Sequence, residues 1–556
     1  MGAVRALADA YVADGHPLDP CVATGLGVPG FDHLLTDHSS DGVAERVALA
    51  RRTLTALDGT PPDDEPDRRC AALLRDRLTL ELDRFDAGEH LRPLRIIGSP
   101  VQTLRSCFDL MSLGDDSAWE QAAHRLEAVP AAYEQLRAAL AEGLRQRVLA
   151  APRQALACAD QLAIWAGAAP GRASWFAGFA AAGPPSLRAR LDSAVANADH
   201  AVGDLARWLR QTYAVAAEQQ PDAVGPDAYA LGARQFLGAR LDVDEAYDWA
   251  WEELRRIEDE MVGVAARIVP GGTVDEAMRH LETAGEALDD ARALQSYLQR
   301  LIDDTIHELG RDAFAIAEPL RRCEAMLAPA GSASAQYYTG PSLDFSRPGR
   351  TWNPVEGRTR FPVWSEVSTC YHEAVPGHHL QLAQWIYRAP QLSVYQTTAF
   401  VSGNGEGWAL YAERLMDERG ALADPGHRMG YLVAQQMRAT RVIVDLGMHH
   451  GLACPTGQPF HPGEPMTPQL GRDFLFAHAG RDQAFLGSEW VRYLGWPGQA
   501  ISYKLGERVW LAGREAARRR AAVQGRPFDL RGWHAQALDL GSMGLDLLAD
   551  ELPMLG

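Results

Sequence analysis

The sequence predicts a mainly α-helical protein with a small β element beside a candidate active-site cleft. Three observations carry this prediction. Alanine, leucine and arginine dominate the composition. Apolar residues recur three and four apart through most of residues 1–320. The stretch where Gly, Pro, Ser and Tyr cluster is short, from Gly331 to Trp364.

The elements follow in chain order. Tyr133, Leu136, Leu140, Leu144 and Val148 predict a helix starting after Pro130. Val243, Tyr247, Ala250, Leu254, Ile257, Met261 and Val264 form one apolar stripe, and Asp242 with Glu245 three residues on reads as a capping box. The texture changes near Pro329. Between Gly331 and Trp364 short extended pieces and turns are expected, and helices resume at about Ser365. A loop from Pro455 ends in Thr467-Pro468, an N-cap followed by proline at the first helical position. No repeat or low-complexity linker divides the chain. A single domain over 1–556 is expected, with 1–328 a helical scaffold and 329–556 the portion that carries chemistry.

Composition narrows the function classes. With 73 acidic against 54 basic residues the net charge is −19, which argues against nucleic acid or an anionic membrane as partner, since both need a basic face. The seven cysteines are scattered and form no CxxC pair, so reduced thiols in a cytoplasmic setting are expected. Neither a signal peptide in residues 1–17 nor an apolar run of about 18 residues is seen. Lys504 is the only lysine. In so arginine-rich a chain it hints that arginine would not serve there.

The most informative stretch is Tyr371-His-Glu-Ala-Val-Pro-Gly-His-His-Leu-Gln381. A helical His-Glu-x-x-His places two imidazoles one turn apart, with the glutamate as general base toward water at a metal ion. Here the position of the second histidine is Pro376, and histidines follow at 378 and 379. On a straight helix His378 points about 240° away from His372, and His379 lies about 10 Å along the axis. Pro376, however, cannot donate to the carbonyl of His372 and clashes with it, and Gly377 permits a break. A kink that swings His378 back toward His372 is therefore expected, with His379 the weaker candidate. The alternative is that Pro-Gly simply ends a helix and the histidines are surface or capping residues.

A zinc ion needs a third protein ligand, often a carboxylate from a later helix. Gly405-Glu-Gly-Trp-Ala-Leu-Tyr-Ala-Glu413 offers two acids on one face. Glu406, between glycines that let another backbone or a ligand approach, is the expected ligand. Glu413 is either its substitute or an acceptor that orients a histidine N–H.

These residues resemble the bacterial family labelled domain of unknown function 885. The resemblance lies in the His-Glu-Ala-Val-Pro-Gly-His-His-Leu-Gln run, residues 406–413, Arg441-Val-Ile-Val-Asp-Leu-Gly-Met-His449, Pro497-Gly-Gln-Ala-Ile-Ser-Tyr-Lys504 and Pro341-Ser-Leu-Asp-Phe-Ser-Arg-Pro-Gly349. It implies a large helical, zinc-metallopeptidase-like fold, loosely similar to the thimet oligopeptidase and carboxypeptidase Taq families. Those keep an uninterrupted His-Glu-x-x-His, from which the Pro-Gly insertion departs.

Supporting groups complete the expectation. Tyr503, with Lys504 beside it, is the main candidate to stabilise an oxyanion. Arg441, Asp445 and His449 share one helical face and can form a polar ladder. From it His449 would donate to the oxyanion and Arg441 would hold a substrate carboxylate. Tyr337, Tyr338 and Arg347 lie in the extended segment and would line the cleft, where an edge strand can pair with a peptide backbone. The expected activity is zinc-dependent hydrolysis of short peptides or a peptide-like metabolite, with Glu373 as general base. A metal-dependent lyase or non-haem iron enzyme, and a non-catalytic binding protein of the same fold, are the alternatives.

Overall fold

Among the residues that the computed structural model describes (2–328, 335–355 and 357–556), helices make up nearly all regular structure, as the apolar periodicity predicts. The predicted stripe of helix Val243–Ile268 is buried from Tyr247 to Val264, with Val243 at its margin. Asp242 accepts from the Glu245 N–H at 3.1 Å. The returning half of the expected capping box is not made, because the Glu245 carboxylate turns outward to Arg508 at 2.6 Å.

The helix expected to start after Pro130 instead spans Asp116–Gln146, capped by Asp115, with Pro130 inside it. Proline there removes one hydrogen bond, to the Leu126 carbonyl. Leu126 and Val129 before it and Ala132 and Tyr133 after it are all buried, and this packing carries the helix through. Its end falls at Arg147, so Val148 lies outside it.

Three apolar clusters hold these helices. One runs from Cys21 to Ala217. A second, from Tyr229 to Leu552, draws helices Val243–Ile268 and Ala291–Asp312 into the same core as the histidine-bearing segment. A third joins the first helices to Tyr395 and Val401. No described helix is long and apolar enough to cross a membrane.

The β structure is a two-stranded antiparallel pair, Ala287–Leu288 with Phe361–Pro362, and a three-stranded sheet. Strand Cys323–Leu327 runs parallel to Gly349–Asn353, which pairs antiparallel with Tyr337–Thr339 at the edge. The sheet thus begins earlier than expected, with Cys323 and Ala325 facing inward at period two. Part of the segment expected to be extended, residues 331–334, lies outside the described residues. Helices resume at Glu366, one residue past the expected point, and Thr467 caps helix Pro468–His478 as predicted.

Candidate metal centre

The His372 helix stops where the sequence breaks it. Helix Glu366–Glu373 ends, four residues follow, and helix His378–Tyr387 begins. Residue 377 must be glycine for a spatial reason: a Cβ there would lie 1.9 Å from the His372 carbonyl oxygen. The buried Trp408 indole N–H reaches the carbonyls of Pro376 and Gly377, at 2.9 and 3.1 Å, and so fixes the break from the facing helix. The consequence is the predicted swing. The rings of His372 and His378 stand 4.8 Å apart at 84°.

Helix Ser402–Glu418 brings the third group. It crosses helix Ser502–Val523 with backbones nearly touching, since a Cβ on Gly407 would lie 2.5 Å from the Gly506 backbone. This close approach sets Glu406 beside the histidines. Glu406 Oε2 lies 3.4 Å from His372 Nε2 and 3.5 Å from His378 Nε2. Ligand atoms of His372, Glu373 and His378 also lie within 4.8 Å of one another.

These residues fit a metal ion. Glu406 Oε2 is buried and has no hydrogen-bond donor among the described residues, although two imidazole nitrogens face it. His372 Nδ1 is 2.8 Å from Glu413 Oε1, so with its Nδ1–H donated there the ring presents a lone pair at Nε2. Two imidazole nitrogens and a carboxylate oxygen directed at one point repel one another unless a cation or a proton sits among them. In the protein alone the proton serves. Burial, the largest influence, and Arg438 lower the His372 pKa, but Glu406 and Glu413 outweigh them and raise it to about 9.

Glu413 fills the orienting role foreseen as one of its two options. It is fully buried, accepts from Ser368 Oγ at 2.6 Å, and pairs with Arg438 at 3.0 Å. Burial raises the Glu373 carboxyl, and nearby Glu406 adds to this against the two histidines, so Glu373 holds a proton more readily than a solvated glutamate. His379 turns away. Its Nε2–H donates to the Leu320 carbonyl and its Nδ1 accepts from the Tyr338 hydroxyl, both at 2.9 Å.

The centre opens into a cavity of about 910 Å³, lined in part by Tyr337, Tyr338, Arg441 and Tyr503. Tyr503 stacks 6.5 Å from the His372 ring and lies under the Arg441 guanidinium at 4.6 Å. Burial, then Glu406, raises its phenol pKa and keeps it a proton donor.

Other expected site residues are placed elsewhere. His449 is buried away from the cavity; it accepts from the Val224 N–H and donates to the Tyr493 carbonyl, both at 3.2 Å. Burial lowers its pKa to about 4, so it is neutral and occupied. Lys504 is turned about 100° round its helix from Tyr503, off the cavity lining, and reaches Gln435, Glu507 and Glu253. Three acceptors around one compact ammonium account for lysine where arginine's planar fork would not fit. Arg347 is exposed in the Ser342–Arg347 turn, outside the cavity lining. The expected ladder is divided as well. Arg441 bonds Tyr493 and Glu489, while Asp445 takes the Tyr229 hydroxyl and the Gly498 N–H.

Sequence reasoning missed Arg438, Trp408 and Arg481. Arg438 precedes Arg441 by three residues on one helix, a spacing that could have flagged it. Trp408 and Arg481 carry no such signal, because their roles arise from tertiary contacts alone.

Fold and site together define a mainly helical protein with a candidate two-histidine, one-carboxylate metal centre on the lining of a large cavity. The family model "Bacterial protein of unknown function (DUF885)" matches residues 20–552, and the chain belongs to that family. Two solved structures share the fold over nearly their whole length. One, described as "the putative lipoprotein from Colwellia psychrerythraea", has 20% identity and a TM-score of 0.81, covering 99% of this chain and 98% of that one. The other, "a putative lipoprotein of unknown function from Shewanella oneidensis", has 17% identity and a TM-score of 0.75, covering 99% of each. A Pyrococcus furiosus carboxypeptidase matches at 11% identity and a TM-score of 0.41 over 99% and 97% of the two chains, too distant to carry an argument. No curated protein gives a significant match.

Proposed function

We propose that this protein is a zinc-dependent hydrolase that cleaves amide bonds of short peptides or a peptide-like metabolite. The observation that carries the reading is the unpartnered Glu406 Oε2 facing two imidazole nitrogens, with a further carboxylate, Glu373, alongside. His372, His378 and Glu406 would hold the ion. When bound, zinc supplies Lewis acidity that lowers the pKa of water toward neutrality.

The chain's own groups do the rest. Glu373, its carboxyl raised by burial, takes the proton of the attacking water and returns it to the leaving nitrogen. The Tyr503 phenol, still protonated at neutral pH, donates to the oxygen that gains charge on the attacked carbonyl. Glu413, backed by Arg438, holds the His372 ring in one tautomer. The edge strand Tyr337–Thr339, with Tyr337 and Tyr338 on the cavity lining, suits an extended peptide backbone. Glu373 favours proton transfer to and from water over oxygen activation at iron, which needs no such base. All seven cysteines are free and buried, in keeping with a reducing, cytoplasmic setting. No nucleic acid or membrane partner is required by this reading.

The test is Glu373→Gln. The variant is expected to keep the zinc content of the wild type, measured by elemental analysis, and to cleave a peptide library about 10²–10⁴-fold more slowly. Wild-type turnover in that variant, or cleavage by wild type that survives complete zinc removal, overturns the proposal.

A further inference from the structure

Four arginines line the cavity: Arg358, Arg438, Arg441 and Arg481. Three have an acidic partner. Arg358 pairs with Glu366 at 3.1 Å, Arg438 with Glu413 at 3.0 Å, and Arg441 with Glu489 at 2.8 Å while its Nε donates to the Tyr493 hydroxyl. Arg481 is different. It has no ion pair and no hydrogen bond among the described residues.

The acids on the same lining cannot serve it. Glu366 is held by Arg358 and Gln336, and Glu373 and Glu406 belong to the metal centre. Asp482, next in sequence, caps helix Gln483–Gly495 by accepting from the Phe485 N–H at 2.9 Å. Arg481 is an exposed side chain on the cavity lining. Exposed as it is, its guanidinium stays charged. Three cations thus converge on the cavity lining where only two have an acidic partner, and the third guanidinium is left with its fork of donors free for an anion.

We infer that Arg481 docks a carboxylate of the substrate, so that the cavity selects peptides carrying a free C-terminal carboxylate or an acidic side chain. The inference rests on the cavity being the substrate site of the proposed hydrolase. Arg481 then performs the role expected of Arg441, whose guanidinium is already engaged by Glu489, Tyr493 and the Tyr503 ring. A planar fork matches a carboxylate through two parallel bonds, a contact a neutral amide cannot return.

Binding rather than turnover tests this. The zinc-loaded Glu373→Gln protein is titrated calorimetrically with Gly-Phe-Ala, its C-terminal amide, and N-acetyl-Glu-Phe-Ala amide. At least one of the two carboxylate-bearing peptides is expected to bind about ten- to a hundredfold more tightly than Gly-Phe-Ala amide. Which one does so separates a terminal carboxylate from an acidic side chain. Adding Arg481→Ala should erase that preference and leave amide binding unchanged, and Arg481→Lys should restore part of it. Equal binding of acid and amide, no binding of either acid at millimolar concentration, or a preference that survives Arg481→Ala overturns the inference. Discrimination without any turnover by wild type would instead remove the hydrolase reading and leave the anion site standing.

Discussion

The two large cores of this protein are built from similar helices but leave different things over. In the core from Cys21 to Ala217 the main buried charge is Arg125, which spends two nitrogens on Thr24 and the carbonyls of Phe31 and Leu34. Polar atoms without partners occur there too, but one at a time, as at Arg125 Nη1, His38 Nε2 or Gln154 Oε1. In the core from Tyr229 to Leu552 buried acids and bases crowd one region, and the unpartnered Glu406 oxygen meets two imidazole nitrogens. An isolated unsatisfied atom is a local cost, whereas a convergent set marks a candidate binding site. The difference separates a scaffold, where polar groups are scattered, from a candidate metal centre, where they converge.

The strongest way to break this comparison is to remove one group from each core. His372→Ala or Glu406→Ala should abolish stoichiometric zinc binding, read by elemental analysis, while the fold persists by circular dichroism. Leu126→Ala, in the other core, should cost about 2–5 kcal/mol in denaturant unfolding and leave zinc stoichiometry at the wild-type value. Zinc lost through Leu126→Ala in a protein that still folds would show that the two cores are not separable in this way.

The same contrast governs what could be read in the sequence. Helical stripes such as Tyr247 to Val264 were legible because a core face imposes a period that each residue reports. The break at Pro376-Gly377 was legible because proline and glycine act on their own backbone. Pro130 misled for the same reason: a local rule predicted a helix start, and packing on both sides of it overrode the rule. Side chains that depend on what stands opposite were harder to place. His449 and Lys504 share helices with true lining residues, but a face is chosen by the neighbouring helix, which no local pattern records. Glu413 could be foreseen as an orienting group because chemistry demands one near a ligating histidine. Arg481, on a short connection between helices, could not.

A sharper form of the comparison concerns Glu413, which touches a candidate ligand without facing the metal position. Glu413→Gln should weaken zinc binding about 10- to 100-fold in competition with a chelator. In the wild type the apparent affinity should also depend on pH with a definite sign. Glu406 and Glu413 raise the His372 pKa to about 9 against burial and Arg438, so below that pH zinc must displace its proton. Affinity therefore falls by about tenfold for each unit of acidification below pH 9, and binding releases a proton that buffers of different ionisation enthalpy reveal in calorimetry. Affinity independent of pH between 7 and 9 would mean that His372 carries no proton for the ion to displace in that range.

The smallest expected effect falls on Tyr338, which lines the cavity yet spends its hydroxyl on structure. That hydroxyl donates to His379 Nδ1 at 2.9 Å, while the other ring nitrogen donates to the Leu320 carbonyl. Burial lowers the His379 pKa to about 4, so the ring is neutral and its Nδ1 needs a donor. Tyr338→Phe removes the donor and keeps the ring, leaving one buried acceptor unsatisfied at a cost of about 1–3 kcal/mol in unfolding experiments. Zinc affinity should not move, because His379 points away from Glu406 and takes no part in the centre. A loss of zinc affinity in Tyr338→Phe without a loss of stability would put His379 back among the ligands and His378, whose Nδ1 has no partner among the described residues, in doubt.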